Sequence, residues 1–407
     1  MRIAYLTQPY PPMISGASIF AEQMAKGMAN RGHEVLVIAA SDREYAYTQI
    51  EEDITIVRLR SINNPLRIGQ RLLLAPRNMV MKTLQEFQPD VIHVHEPIQM
   101  GTFGLEHAKQ HGIPITLTTH QLPWFIASYL PDKFFIREIA EAMIWLYSGW
   151  LMKRFSSVIA PTKTISKIIK HKTGVKTKTI HYGIDLETFH PHTSLKERKA
   201  ARSRFGLPPN APIILHTGRL DTDKSVHHVI HAAAESMKDS DAHLLVVGDG
   251  KQRDHLIHLC KSLGIEARAH FPGFIVDKEK LAEIYRMSNV FVTASEIETQ
   301  GIVILEAAAC RLPIVAVSAT CIPEVVQHKG NGLLVNSGDI NGMSSSITRI
   351  LGDESAAQAM RSRSYDIAQK YGLRISISKH EKHYKQMLKQ KVRDVVMIKA
   401  FSKTWEH

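Results

Sequence analysis

Short, continuously apolar runs recur along both halves of the chain, and each is followed by a segment of helical character. In the first half these runs occupy residues 3–6, 35–39, 91–94, 115–118 and 157–160. In the second half they occupy residues 213–216, 244–247, 291–292, 314–317 and 333–335. Apolar strands that alternate with helices are typical of a parallel sheet covered on both faces. The pattern therefore predicts a doubly wound α/β fold.

The two series of strands indicate two domains, because 407 residues exceed what one ordinary hydrophobic core supports. Prolines around a charged helix indicate a linker at 191–211. We therefore expect an N-terminal domain at 1–190, a second domain at 212–375 and a helical segment at 376–407 that returns to the first domain. Two such domains in tandem would form a cleft, where ligands bind at the carboxyl ends of the strands.

The chain carries a formal net charge of +12, and two runs of six cations without an acid lie in its first half, at 58–82 and 163–178. Such runs attract anionic lipid, nucleotides or nucleic acid, although they also occur as solvated helix faces. No recognised DNA- or RNA-binding motif accompanies them, which argues against a nucleic-acid partner.

The sequence also bears on the compartment of the protein. No apolar run reaches the roughly 18–20 residues that a membrane-spanning helix needs. The first apolar run is too short for a signal peptide and indicates a strand instead. Cys260, Cys310 and Cys321 are odd in number and lack metal-type spacing, so we expect them to be reduced core residues. These features predict a soluble, intracellular protein.

The segment SEIETQGIVILEAAACRLP, residues 295–313, joins the end of a buried strand to an alanine-rich helix through a glycine turn. Free backbone N–H groups at such a helix N-terminus attract anions. The carboxylates of Glu298 in the loop and Glu306 in the helix would repel a phosphate, but they can accept hydrogen bonds from hydroxyl groups. A corner that attracts a diphosphate and contacts sugar hydroxyls predicts a nucleotide-sugar site.

A second strand-end turn, HTGRLDTDKS at residues 216–225, places Arg219 and Lys224 five residues apart. A guanidinium fork and an ammonium point charge suit a diphosphate leaving group, although two ordinary loop cations would look the same in sequence. Because these cations can replace a metal ion, we expect neither a metal nor another cofactor. Gly248 follows a further strand and would allow a close approach of the backbone to a ligand.

Two residues of the first domain lie where the expected cleft would receive a ligand. Gly16 begins the first helix and can approach a phosphate, and His120 follows the fourth strand. A purely structural histidine is the alternative for His120. No Ser–His–Asp order and no HExxH motif occurs, which argues against covalent hydrolases and metalloproteases.

Residues 122–155 combine nine aromatic side chains with four cations, and a lysine-rich segment follows them. Aromatic rings at headgroup depth and cations on phosphates suit a membrane interface, whereas a helix with an aromatic core face is the alternative. The lysine-rich segment favours contact with an anionic membrane. The residues expected at this surface, or at an acceptor bound there, are Trp124, Tyr129, Lys163, Lys167 and Lys170.

Several of these segments resemble retaining family-4 glycosyltransferases, among them HTGRLDTDK, VVGDG, PGF, SEIETQGIVILEAAAC and IPEVVQHKGNGLLV. The similarity in pattern extends over residues 1–390 and implies the GT-B fold, in which two Rossmann-like domains face a cleft. It implies that Arg219 and Lys224 hold the donor diphosphate. It also implies that Glu298 lies near the donor sugar and that Glu306 contacts the ribose.

The resemblance further implies main-chain contacts to the donor. Residues that match positions near its phosphates or base are Gly301, Ile302, Val303, Gly273, Phe274 and Ile275. Gly16 and His120 match residues that line the reaction centre of the family.

Within the family, ETQG at residues 298–301 and the region around His120 look most like diacylglycerol glucosyltransferases. This similarity implies transfer of a hexose from a UDP-sugar, with UDP-glucose favoured, to diacylglycerol with retention. It also implies a peripheral enzyme on the cytoplasmic face of the membrane. The leaving diphosphate would help to deprotonate the acceptor, and the protein would act by positioning and electrostatics.

Several alternatives stay open at this point. Phosphatidylinositol, a cell-wall precursor or another sugar can be the acceptor of the same chemistry. A UDP-sugar epimerase also uses two such domains, and a nucleic-acid-binding protein is the remaining different class.

Overall fold

The computed structural model describes residues 1–13, 15–64, 71–120, 122–123 and 134–403. The chain divides into two units, one formed by Met1–Tyr182 with Arg374–His407 and the other by Gly183–Leu373. Each unit contains a mainly parallel sheet with helical crossovers. The prediction of two doubly wound α/β domains is therefore confirmed.

The first unit contains an eight-stranded sheet and a small two-stranded sheet. Its strands are β1 (Arg2–Leu6), β2 (Glu34–Ala40), β3 (Tyr47–Glu51), β4 (Ile54–Leu59), β5 (Ser61–Asn63), β6 (Arg71–Leu73), β7 (Val91–Val94), β8 (Ile115–Thr118), β9 (Ser157–Ala160) and β10 (Lys178–Thr179). Its helices before residue 182 are α1 (Gly16–Ala29), α2 (Arg77–Phe87), α3 (Gln99–His111), α4 (Phe134–Met152) and α5 (Lys163–Thr173). The large sheet has the order β10-β9-β8-β7-β1-β2-β4-β3, in which β3 is antiparallel to β4 and the other pairs are parallel.

The second unit contains a six-stranded parallel sheet. Its strands are β11 (Ile213–Thr217), β12 (His243–Val247), β13 (Ala269–Gly273), β14 (Val290–Thr293), β15 (Ile314–Val317) and β16 (Gly332–Val335), in the order β13-β12-β11-β14-β15-β16. Its helices are α6 (Leu195–Arg204), α7 (Val226–Ser236), α8 (Arg253–Ser262), α9 (Lys278–Met287), α10 (Ile302–Ala309), α11 (Ile322–Val325), α12 (Ile340–Gly352) and α13 (Glu354–Gln369). A final helix, α14 (Leu373–Lys403), follows.

The strand order reverses once in each sheet. The chain moves outward from β1 to one side and returns to build the other side from β7, and β11 and β14 have the same relationship in the second unit. The central strands are almost completely buried, which explains their continuous apolar runs. In sheets of this kind the loops after the two strands at the reversal diverge and leave room for a ligand.

The segment 191–211, which the sequence predicts to be a linker, lies inside the second unit instead. Its helix α6 begins with a capping box formed by Ser194 and Glu197. Arg202 is 3% exposed and donates hydrogen bonds to the carbonyl oxygen of Met287 at 2.9 and 3.1 Å. Because Met287 ends α9, the arginine satisfies a free carbonyl at a helix C-terminus, and this contact holds α6 on the unit. The unit boundary accordingly falls at 182/183 and not at 190.

The C-terminal segment belongs to the first unit from Arg374 onward, two residues before the predicted start at 376. Close approach of α14 to α1 depends on Gly27, where an ideal Cβ would lie 2.3 Å from Cδ1 of Ile377. Further along α14, the hydroxyl of Tyr384 lies 2.6 Å from Nδ1 of His93, the residue at the centre of β7. The helix therefore covers a surface of the first unit that residues 1–182 leave uncovered.

Candidate functional site

The residues predicted to hold a donor diphosphate meet at one strand-end corner of the second unit. β11 and β14 are parallel neighbours, so both end at the same edge of the sheet. The loop after β11 contains Arg219 and Lys224, and the loop after β14 contains Glu298. This corner lies at the reversal point of the sheet, where α/β proteins commonly bind ligands.

Lys224 and Glu298 form an ion pair that joins the two loops. Nζ of Lys224 lies 2.6 Å from Oε1 of Glu298, and both side chains are 17% exposed. Nζ also donates to Oγ of Ser295 at 3.3 Å, and that hydroxyl donates to the same carboxylate oxygen at 2.9 Å. Because water screens a largely buried pair less than a surface pair, this contact fixes the relative position of the loops.

Arg219 is held by two carboxylates of its own loop. Its guanidinium contacts Asp221 and lies 2.9 Å from Oδ2 of Asp223, which is also 3.8 Å from Nζ of Lys224. Two cations therefore face three carboxylates, counting Glu298, so a diphosphate that binds here has to replace some of these contacts. Among the described residues, no group of three or more His, Cys, Asp or Glu side chains is arranged to hold a metal ion.

Glycines allow the loops after β11 and β12 to touch. An ideal Cβ on Gly248 would lie 1.8 Å from the carbonyl oxygen of Gly218, and one on Gly250 would lie 2.5 Å from that of Leu220. The N–H of Gly218 donates to the carbonyl of Val247 at 3.0 Å. This packing accounts for the glycine at 248, and a contact of Gly248 with the donor stays a prediction.

The N-terminus of α10 lies in the same loop as Glu298. Gly301 precedes the helix with φ = 73°, a left-handed conformation that favours glycine. The first intrahelical hydrogen bond runs from the N–H of Ile304 to the carbonyl of Gly301 at 3.0 Å. The N–H groups of Ile302 and Val303 precede this ladder, and with the positive end of the helix dipole they form an anion-attracting element.

Glu306 is the fifth residue of α10, and its carboxyl group is poorly solvated. The hydroxyl of Tyr285 donates to Oε2 of Glu306 at 2.7 Å and lies 2.6 Å from Oγ1 of Thr217. Burial raises the pKa of Glu306 to about 7, although the hydrogen bond from Tyr285 opposes the rise. The carboxyl therefore exchanges between protonated and charged forms near neutral pH, and additional hydroxyl donors would favour the charged form.

The turn predicted to contact a base follows β13. Gly273 ends the strand with φ = 84°, and its carbonyl accepts a hydrogen bond from the N–H of Gly248 at 2.9 Å. The side chain of Phe274 is 46% exposed, whereas Ile275 packs against the core of the unit. The turn thus lies at the strand-end edge of the sheet beside Gly248, and its contact with a base stays a prediction.

The two predicted residues of the first unit lie at the start of a helix and after the end of a strand. Gly16 is exposed at the start of α1, where Oγ of Ser15 caps the helix by accepting a hydrogen bond from the N–H of Ser18 at 3.1 Å. His120 follows β8 and is partly exposed, and its Nε2 lies 2.8 Å from Nδ1 of His95, which follows β7. The parallel neighbours β7 and β8 thus bring a second histidine to His120.

Some of the residues predicted to contact a membrane lie among the described residues, and others do not. Trp124 and Tyr129 lie outside the described residues. Lys163, Lys167 and Lys170 are exposed on α5, which packs by its opposite face through Ile165 and Ile169. These lysines form an exposed face of α5, and their contact with lipid stays a prediction.

The helix next to this lysine face exposes a row of large apolar side chains. On α4 these are Ile139, Met143, Leu146, Tyr147 and Trp150, between 43% and 75% exposed, and together they form what we call the α4 stripe. Gly149 allows α4 to approach α5 closely, because an ideal Cβ there would lie 3.0 Å from Cβ of Thr173. No helix within the described ranges is both long enough and apolar enough to span a bilayer.

Several residues at these sites were not predicted from the sequence. His95 directly follows the end of β7 and Ser295 is the second residue after β14, so their position was an available signal. Asp221 and Asp223 look like ordinary loop acids, and Tyr285 lies inside α9, where an aromatic residue normally indicates packing. Only the fold shows that these side chains contact Arg219 and Glu306.

Two family models match the chain, one in each half. Residues 14–188 match the model described as Glycosyltransferase Family 4, and residues 197–367 match the model described as Glycosyl transferases group 1. The first match covers most of the first unit, and the second covers most of the second unit, including the corner formed by Arg219, Lys224 and Glu298. Both models therefore describe the parts of the chain that form the two sheets.

Individual proteins agree with these models. The chain is 27% identical over 346 residues to the alpha-monoglucosyldiacylglycerol synthase of Acholeplasma laidlawii, covering 83% of this chain and 86% of the relative. It is 25% identical over 391 residues to the N-acetyl-alpha-D-glucosaminyl L-malate synthase of Bacillus anthracis, covering 93% and 96%. The crystal structure of Anabaena HepE in complex with UDP and glucose has a similar fold, with a TM-score of 0.75, 22% identity and coverage of 95% and 100%. The chain belongs to the family 4 glycosyltransferases, enzymes of the GT-B fold.

Proposed function

We propose that this glycosyltransferase moves a hexose, with glucose favoured, from a UDP-sugar to diacylglycerol and retains the configuration at the anomeric carbon. The product is an α-glycosyl diacylglycerol. The observation that carries the donor half is the Lys224–Glu298 ion pair beside the N-terminus of α10. The acceptor half rests on the α4 stripe beside the lysine face of α5.

The donor corner suits a sugar diphosphate because cations and hydroxyl acceptors lie side by side. Lys224 and Arg219 would meet the phosphates together with the N–H groups of Ile302 and Val303. Glu298, already fixed by Lys224 and Ser295, would accept hydrogen bonds from the sugar hydroxyls. We propose that these groups bind the diphosphate without a metal ion. Arg219 and Lys224 lie in the same loop, so both cations can contact the phosphates.

Retention follows if the acceptor attacks from the face that the leaving group vacates. The bond between the anomeric carbon and the phosphate oxygen breaks, and a bond to the acceptor oxygen forms on the same face. The acceptor proton passes to the leaving phosphate oxygen, so no side chain has to accept it. The protein contributes mainly positioning and electrostatic stabilisation of the charge on the diphosphate.

The acceptor and the membrane are proposed from surface chemistry. An apolar row flanked by exposed lysines suits a bilayer with anionic headgroups, because the row enters the acyl boundary while the ammonium groups meet phosphates. The ring of Trp150 is covered by the guanidinium of Arg154 at 3.4 Å, an arrangement suited to headgroup depth. The name of the Acholeplasma relative supports a lipid acceptor, and we propose a peripheral location on the cytoplasmic face of the membrane.

Product analysis tests the proposal as a whole. The protein is incubated with UDP-glucose or UDP-galactose and vesicles of phosphatidylcholine, phosphatidylglycerol and diacylglycerol, with and without EDTA. We expect an α-linked glycosyl diacylglycerol from one of the two donors, with no loss of rate in EDTA.

Matched reactions separate the rival functions. Phosphatidylinositol or malate in place of diacylglycerol tests other acceptors, and donor alone tests an epimerase. Turnover that ignores diacylglycerol and instead glycosylates malate would contradict the lipid acceptor. Conversion of the donor sugar in the absence of any acceptor would contradict transfer itself.

Substitution in the donor corner should separate binding from transfer. Lys224→Gln removes a charge-assisted contact to the diphosphate, so UDP-glucose should bind about 10- to 150-fold more weakly, as expected for a loss of roughly 1.5–3 kcal/mol. Glu298→Gln should reduce kcat far more than it changes the dissociation constant. Calorimetric titration and initial rates measure the two effects.

Lys238→Gln is the matched control, because Lys238 is an exposed lysine of the same unit that pairs with Glu235 at 2.8 Å. It should bind donor as the natural protein does. Equal binding by the Lys224→Gln and Lys238→Gln variants would remove Lys224 from the donor site.

Donor binding should also depend on pH through Glu306. The free carboxyl has a pKa of about 7, and ribose hydroxyls that donate to the carboxylate lower this value in the complex. Binding therefore releases a proton, so affinity increases with pH up to about 7, by at most about tenfold per pH unit, and is constant above that. Calorimetric titration with UDP-glucose measures how this affinity depends on pH. UDP-glucose is a suitable ligand because its diphosphate diester does not titrate in this pH range.

The Glu306→Gln variant isolates the source of this dependence. It keeps a hydrogen-bond acceptor but cannot ionise, so its affinity should be independent of pH between about 5 and 8. A pH dependence that survives in this variant would assign the effect to another group.

Membrane binding should depend on the α4 stripe. Leu146 is 75% exposed, and Leu146→Glu replaces an inserted apolar group worth roughly 1.5–3 kcal/mol by a carboxylate that anionic lipid repels. Cosedimentation with phosphatidylglycerol vesicles should show binding at least about tenfold weaker.

Leu195→Glu is the control, because Leu195 is 77% exposed at the start of α6 in the second unit. It should bind vesicles as the natural protein does. If the two variants lose the same affinity, the effect is one of net charge and the α4 stripe does not contact the membrane.

A further inference from the structure

The first unit contains a pair of histidines joined by a hydrogen bond at the ends of two neighbouring strands. Nδ1 of His95 lies 2.8 Å from Nε2 of His120. The two rings are nearly coplanar, with an angle of 19° between their planes and 5.1 Å between their centroids. A hydrogen bond in the plane of both rings fixes the orientation of each imidazole.

The surroundings of Nε2 of His95, the nitrogen that does not contact His120, determine which nitrogen of His95 carries the proton. His95 is 4% exposed, and its Nε2 is buried without a hydrogen-bond partner among the described residues. The ring of Phe20 lies 5.5 Å away, and His93, at 4.3 Å, uses both of its nitrogens on Tyr384 and Thr118. A buried N–H without an acceptor is rarer and more costly than a bare lone pair. The proton of His95 therefore lies on Nδ1 and is donated to His120.

This assignment determines the state of His120. Its Nε2 accepts the hydrogen bond, so the neutral ring carries its proton on Nδ1. Burial lowers the pKa of His120 to about 3 and the pKa of His95 well below its ordinary value, so both rings are neutral at physiological pH. A neutral imidazole with Nε2 occupied and Nδ1 protonated can donate a hydrogen bond, but it has no free site to accept a proton.

We propose that His95 is a positioning residue that fixes the tautomer and orientation of His120, so that His120 presents Nδ1–H to an oxygen of the transferred sugar. The sugar contact rests on the proposed function, whereas the tautomer rests on the contacts of the two rings alone. His120 then acts as a hydrogen-bond donor and not as the base that deprotonates the acceptor. This role agrees with transfer of the acceptor proton to the leaving phosphate.

Two substitutions at His95 separate the hydrogen bond from the packing. His95→Phe keeps a ring of similar size in an aromatic environment but removes the donor. His95→Asn places an amide N–H close to the position of Nδ1–H and keeps the donor. We expect kcat to fall about 10- to 100-fold in the Phe variant, with a smaller change in KM, and to recover to within about threefold in the Asn variant.

His107→Phe is the matched control, because His107 is a 2% exposed histidine of the same unit, on α3. It should leave kcat unchanged, and thermal unfolding should show that all three variants are folded. A Phe variant at position 95 that is as active as the His107→Phe variant would overturn the positioning role.

The tautomer is measured without substrate, by nitrogen-15 NMR of histidine-labelled protein, with His120→Asn identifying the His120 signals. We expect a protonated Nδ1 and an unprotonated Nε2 on His120, and loss of this single form in the His95→Phe variant. A protonated Nε2, or an unchanged tautomer in that variant, would overturn the inference. A natural protein that shows the expected tautomer but transfers no sugar would instead contradict the proposed function.

Discussion

Burial of a parallel sheet on both faces restricts polar chemistry in this protein to the loops after its strands. The central strands are mostly apolar and almost fully buried, and parallel neighbours end at one edge of each sheet. Lys224 and Glu298 therefore approach each other from β11 and β14, and His95 and His120 approach each other from β7 and β8. Neither pair is close in sequence, and the register of adjacent strands is what makes each of them a contact.

In both strand-end sites the polar side chains already contact one another, and a bound ligand would add to or replace these contacts. In the second unit, Arg219 and Lys224 are already neutralised by carboxylates, so binding exchanges one set of charge-assisted contacts for another. Glu306 has one hydrogen bond from Tyr285 and a pKa raised by burial to about 7. Such a carboxyl is poorly solvated without a ligand and gains most from added hydroxyl donors. The same poor solvation couples donor binding to release of a proton.

Much of this arrangement is predictable from the sequence because strands and strand-end loops have local signatures. The apolar runs predict the central strands, and the turn at 216–225 predicts two cations in one loop. Segment 191–211 is misassigned as a linker because its prolines dominate the pattern, whereas the contact of Arg202 with Met287 depends on tertiary packing. The contact between His95 and His120 also cannot be predicted from the sequence, because it depends on β7 lying next to β8. Likewise, β13 contains Pro272 and has no fully buried residue, so it lacks the signal of the other strands.

The two units differ in the charged groups that they stabilise, and this difference suits them to different parts of the proposed reaction. The second unit retains ionised groups because Lys224 and Arg219 are paired with carboxylates, and the two cations suit a diphosphate that gains negative charge as it leaves. Around His120 the first unit presents aromatic rings and neutral imidazoles, an environment in which an imidazolium would be poorly solvated. A base there would have to become charged as it accepts a proton, and its low pKa opposes that step. The proton is better placed on the departing phosphate, which leaves the histidine to orient the sugar.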